Sequence, residues 1–238
     1  MTHRTTIKTW SLVVAYAIGM AFLEAACVYY LRAMLHRLEP YQTNPLPITG
    51  VMGTVELVRE ASTLAMLAAV GALAGHNWRT RLGYTAIAFG IWDIAYYVFL
   101  NVIYGWPRSL LDWDVLFLIP LPWWGPVLAP MSVALLMIAG GTLVCRSPID
   151  RVVDRVEIRL WGVMCLGALL ALYTFMADSL GAVWHGLDPK TAALPVTFNW
   201  PLFVVALALM AAPIAYLARP SPKDGLERTR AIRAPSQL

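Results

Sequence analysis

The chain has 238 residues, of which 59% are hydrophobic and 13% charged. A soluble domain carries about 25% charged residues, so this composition excludes an ordinary soluble fold and points to an integral membrane protein. The formal charge of +4 asks for no nucleic-acid partner, because anionic lipid attracts the same basic residues.

Six windows are apolar and long enough to span, near 10–34, 51–74, 83–104, 126–145, 158–180 and 199–218. About 20 helical residues cross 30 Å of hydrocarbon. Barrel strands would alternate apolar and polar residues, and these windows do not. The prediction is an all-α, polytopic six-helix transmembrane bundle over 1–218, followed by a disordered basic tail at 219–238. The first window follows Arg4 and Lys8 and has the look of a secretory leader. Its apolar run is too long for one, and Glu24 spoils the lipoprotein-like "LEAAC" at 23–27.

In helix one, Glu24, Cys27, Val28 and Arg32 fall on one stripe, with Arg32 close enough to the end to snorkel to the surface. A loop at 36–50 is stiffened by Pro40, Pro45 and Pro47. Helix two contains "VELVREASTLAML", with Glu56, Arg59 and Glu60 inside an apolar window. Glu56 and Glu60 share a face, extended by Gly53, Thr63 and Gly71, where a neighbour can approach closely. Helix three carries Asp93, Tyr96, Tyr97, Asn101 and Tyr104 on one stripe.

Residues 105–130, "GWPRSLLDWDVLFLIPLPWWGPVLAP", are apolar but hold five prolines, so no straight helix runs through them. They predict an interfacial or re-entrant loop with a short helix capped by Asp112 or Asp114. Trp113, Trp123 and Trp124 are expected at headgroup level, as an anchor or a substrate lid. Helices four and six are nearly bare of polar groups, whereas helix five offers Thr174, Asp178 and, beyond it, His185.

Lys and Arg in the connections set the orientation. One side receives Arg4, Lys8, Arg79, Arg81, Arg146, Arg151, Arg155, Arg159, Arg219, Lys223, Arg228, Arg230 and Arg233. The other receives only Arg32, Arg37, Arg108 and Lys190. Both termini are therefore expected in the cytoplasm of a bacterium, with the chain in its inner membrane. Cys27, Cys145 and Cys165 lie on separate helices without a C-x-x-C, so no disulfide framework is predicted.

At 1.5 Å per residue, Glu24 lies about 9 Å deep, Glu56 and Glu60 about 7 and 13 Å, and Asp93 about 16 Å. All fall in the outer half or at the midplane, so one polar pocket open to the periplasm is predicted. Glu24, Glu56, Glu60 and Asp93 outnumber Arg59, and that surplus needs protons or a bound cation. Intramembrane ionisable residues point to function, although a structural ion pair among Glu56, Arg59 and Glu60 is the plainer alternative.

The leading expectation is a membrane enzyme acting on an apolar or lipid-like substrate. Glu24, Glu60, Asp93, Tyr96 and Tyr97 are its candidate catalytic groups; Arg59, Trp92, Asp112 and Asp114 are candidates for holding a cofactor. A divalent metal, Fe, Mn or Zn, would take Glu24, Glu56, Glu60, Asp93 and His185, although the Glu-x-x-His of di-iron bundles does not occur. No mid-helix His supports haem, no buried Lys supports a Schiff base, and no nucleotide motif occurs in a usable context. The alternatives are a proton or cation relay, a transporter component, and a non-catalytic subunit associating with other membrane proteins.

Overall fold

The computed structural model describes residues 3–42, 50–147, 158–188 and 197–219. The chain is a six-helix membrane-spanning bundle: α1 (His3–Met34), α2 (Gly50–Ala74), α3 (Trp78–Tyr104), α4 (Leu128–Arg146), α5 (Ile158–Trp184) and α6 (Trp200–Ala218). All six are long and apolar enough to cross a membrane. Between α3 and α4 lie two short strands, β1 (Trp113–Phe117) and β2 (Trp123–Pro126). The expected tail at 219–238, all but Arg219, lies outside the described residues, as do Arg151, Arg155 and Lys190.

Three helices run further than their apolar windows. α1 begins seven residues early, at His3, because Arg4 and Lys8 are good helix formers. α5 continues to Trp184. α3 begins at Trp78 because Asn77 caps it. The Asn77 Oδ1 accepts from the Arg79 and Thr80 N–H groups at 3.1 and 3.0 Å, and Thr80 Oγ1 accepts from the Asn77 N–H at 3.2 Å. That reciprocal arrangement satisfies donors which a helix start otherwise leaves free.

α3 is the central helix and packs against α1, α2 and α4, while α6 packs against α4 and α5. Small residues allow the closest approach. A Cβ on Gly141 would lie 2.4 Å from the Gly83 carbonyl oxygen, and one on Gly90 2.5 Å from that of Ala134. Gly71 meets the Thr85 backbone just as closely, as its sequence position suggests. α1 turns Val13, Ala17, Ala21, Ala25 and Val28 inward, a spacing of three to four residues that marks one helix face.

The Pro/Trp segment corrects the sequence expectation of a capped interfacial helix. It is an antiparallel hairpin pairing Trp113 with Pro126, Asp114 with Gly125, Val115 with Trp124 and Phe117 with Trp123. A register shift between Val115 and Phe117 adds one residue to β1, so Asp114 and Phe117, three apart, are both buried. The physical reason is composition. Aromatic and β-branched residues favour a pleated pairing, and a two-stranded ladder needs few of the N–H donors that proline lacks. Asp112 caps a turn instead, accepting from the Arg108 and Ser109 N–H groups at 2.7 and 3.2 Å.

The hairpin packs its indoles against other aromatic side chains of the protein. Trp124 is buried. Trp123 stacks on Phe175 of α5, ring centroids 6.4 Å apart, and the Ser179 hydroxyl donates to the Pro122 carbonyl at 2.5 Å. Such aromatic pairs add to the area they bury.

Candidate functional site

Where α1, α2 and the middle of α3 meet the hairpin, a cavity of about 260 Å³ opens. Its wall includes Glu24 and Arg32 of α1, and Glu56, Arg59 and Glu60 of α2. α3 adds Trp92, Asp93, Tyr96 and Tyr97; the hairpin adds Asp114, Phe117 and Trp123. The polar stripes of the first three helices therefore face one another. Much of the rest of the wall is hydrocarbon, from residues such as Val28, Leu31, Val133 and Met137.

Arg59 ties α1 to α2. Its Nε and Nη2 fork onto both oxygens of Glu56 at 2.9 and 2.5 Å, and its Nη1 bonds Glu24 Oε1. The other Glu24 oxygen accepts from the Thr63 hydroxyl at 3.1 Å. The planar guanidinium fits this double role because its donors form a rigid fork. Glu60 departs from the ion-pair expectation. Its two oxygens accept from the Leu118 N–H at 3.1 and 2.9 Å, with a further bond from the Ile119 N–H. Glu60 thus latches α2 to the end of β1, and it is only 6% exposed.

Arg32 does not snorkel. It is 8% exposed, turned inward onto Asp114, which is 1% exposed, at 2.8 Å. Its other amine donates to the Tyr104 hydroxyl at 2.6 Å, and its guanidinium carbon lies 4.6 Å from the centre of the Trp106 ring. The buried counter-ion and the aromatic face offset the desolvation cost of the guanidinium. The Tyr97 hydroxyl donates to Asp114 as well. Burial pushes the Asp114 carboxyl above the usual range, while Arg32, the Tyr97 hydroxyl and the Val115 N–H draw it back.

Asp93 differs from the other four carboxylates. It is 7% exposed, lines the cavity, and its Oδ2 is buried with no hydrogen-bond partner. The indole N–H groups of Trp92 and Trp123, in the same wall, are likewise buried and unpaired. These are the three unpaired buried side-chain polar atoms among the described residues. Such atoms are rare because each forfeits its hydration without return.

Several sequence-predicted residues lie elsewhere. His185 is exposed beyond the end of α5, Asp178 is exposed, and neither lines the cavity. Asp112 belongs to its turn. From α5 only Phe175 reaches the wall. Among the described residues, no three His, Cys, Asp or Glu side chains converge as a metal ion would need. The carboxylates are divided between Arg59, the hairpin N–H groups and Arg32, with Asp93 apart. The donor set of the described residues therefore does not fit the expected Fe, Mn or Zn centre. What sequence reasoning missed is the inward turn of Arg32, the presence of Arg37 in the wall and the backbone N–H of Leu118. The one available signal was the shared stripe of Glu24 and Arg32.

A comparison with protein-family models, with curated proteins and with solved structures finds no match to this chain.

Proposed function

We propose that the cavity binds the polar head of an apolar, lipid-like molecule, and that the protein is a small membrane enzyme acting on that head by proton exchange at Asp93. The observation that carries this reading is the bare Asp93 Oδ2 in an otherwise apolar wall. Ligand sites combine hydrocarbon walls with a few unpaired polar groups that fix orientation, and buried carboxylates are common acid–base groups. Arg59 and Arg32 hold the surrounding carboxylates so that Asp93 alone is left to a ligand. Tyr96 and Tyr97 shape its surroundings, Tyr96 stacking on Trp92 at 6.1 Å.

A relay across the membrane is less well supported. The cavity at the other end of α3, about 210 Å³, is walled by apolar residues and glycines apart from Arg79. A non-catalytic subunit would turn its polar stripes outward, and these face inward.

Native mass spectrometry of the detergent-released protein tests the reading. Wild type should carry a small-molecule adduct of defined mass, and Asp93→Asn should carry it at less than about a tenth of that occupancy, since hydrogen bonds to charged groups are worth about 1.5–3 kcal/mol. Equal adducts on both proteins would overturn the role of Asp93. An adduct at the mass of Fe, Mn or Zn, stripped by chelator, would restore the metal reading instead.

We also propose that the site opens to the periplasm of a bacterial inner membrane with both termini cytoplasmic, as the Lys and Arg distribution requires. In a cysteine-free background, a thiol at Gly186 should react with an impermeant reagent added outside, and one at His76 should not. Reaction in the opposite pattern would reverse the topology.

A further inference from the structure

Resting on the ligand-site reading above, we propose that the occupant of the cavity is a cationic amphiphile, a molecule with a protonated amine head and an apolar tail. The argument begins with charge. Five carboxylates line the cavity: Glu24, Glu56, Glu60, Asp93 and Asp114. Three arginines share the wall, Arg32, Arg37 and Arg59. The wall is short of two positive charges. Arg59 bonds both Glu24 and Glu56 and so offsets one of their two charges, and Arg32 offsets Asp114. Glu60 has backbone N–H donors. Of the carboxylates that share the deficit, Asp93 is the one with an oxygen, Oδ2, that is buried and has no donor.

An ammonium group supplies the charge and the donor at once. Protonating Asp93 would remove the charge at less cost than leaving it unpaired, but it would still leave a buried O–H with no acceptor, which an ammonium does not. The surroundings suit a cation for a second reason. Trp92, Phe89, Phe117 and Trp123 form a continuous aromatic wall, with Phe117 ring centroids 6.3 Å from Trp92 and 5.2 Å from Trp123. Aromatic faces attract desolvated ammonium groups. The two unpaired indole N–H groups want an acceptor, which an oxygen beside the amine would provide. A carboxylate or phosphate head alone would meet Asp93 with like charge and is disfavoured.

The cavity's size matches a head and the first part of a chain, since whole drug-sized ligands occupy about 300–1,000 Å³. The test uses full-length protein in an uncharged detergent and titrates octylamine, octanol and octanoate, followed by tryptophan fluorescence. Octylamine should bind at least about ten-fold more tightly than octanol, the value of a hydrogen bond to a charged group, and octanoate most weakly. Asp93→Asn should lower octylamine affinity to the octanol level, and Asp93→Glu should keep the preference. Should Asp93→Asn fail to fold, the wild-type order of affinities still decides. Octanol binding as tightly as octylamine, with both lost in Asp93→Asn, would overturn the cationic class while leaving the ligand site standing. No binding of any probe would overturn both.

Discussion

Arg59→Ala is expected to be the most damaging single substitution in the bundle. Arg59 is the one guanidinium joined to both Glu24 and Glu56, whose side chains are 11% and 12% exposed. Removing it leaves two carboxylates facing each other across α1 and α2 in low dielectric. Breaking one buried pair costs about 3–5 kcal/mol, and here two are broken. Protonation of one carboxyl recovers part of that cost. The midpoint of thermal unfolding in detergent should fall on the order of 10 °C or more. Arg59→Lys should fall less but not match wild type, because an ammonium cannot fork onto Glu56 while reaching Glu24. The triple change Arg59→Leu, Glu24→Gln, Glu56→Gln should recover most of the loss. An Arg59→Ala protein as stable as wild type would mean that Arg59 swings out to lipid headgroups and the interhelical bridge is dispensable.

The second large effect concerns the hairpin. Asp114 is held by Arg32 and Tyr97, and through Arg32 it is linked to Tyr104 and Trp106. Arg32→Leu strands a carboxylate that is 1% exposed, so it should cost about 3–5 kcal/mol. Arg32→Leu with Asp114→Leu removes both charges and leaves neutral groups short of a partner, the Tyr97 and Tyr104 hydroxyls and the Val115 N–H, which cost less than a stranded charge. The double variant should therefore unfold at a higher temperature than Arg32→Leu alone. Thermal unfolding of wild type, Arg32→Leu, Asp114→Leu and the double variant checks it. Strict additivity of the two single changes would mean that Arg32 and Asp114 do not act as a pair.

These expectations rest on parts of the molecule that were unequally legible in the sequence. The six spans could be read from hydropathy because the backbone must satisfy itself in lipid, which leaves helix as the open choice. The convergence of Glu24, Glu56, Arg59, Glu60 and Asp93 on one wall was also readable, since depth follows from helical rise and facing from helical period. Arg32 was not. Its stripe position is compatible with snorkelling or with turning inward, and only the location of Asp114 decides. Asp114 in turn depends on the hairpin, whose pairing is non-local and includes a one-residue shift that moves side chains between faces. The prolines announced a break but not what replaces the helix. The Glu60 partner is hidden for the same reason. It is a backbone N–H of Leu118, and a backbone donor leaves no mark in sequence.

The three charges inside the apolar span of helix two thus have a division of labour. Glu56 and Arg59 fasten α2 to α1, Glu60 fastens it to the hairpin, and together they hold open a wall in which Asp93 faces the cavity without a protein partner. An experimental density map of the purified protein in lipid nanodiscs tests this most directly. The expected result is Arg59 bridging Glu24 and Glu56, with non-protein density in the cavity placing a polar atom about 3 Å from Asp93 Oδ2. A collapsed cavity, with Asp93 Oδ2 bonded to a protein group and Arg59 turned toward lipid, would contradict it.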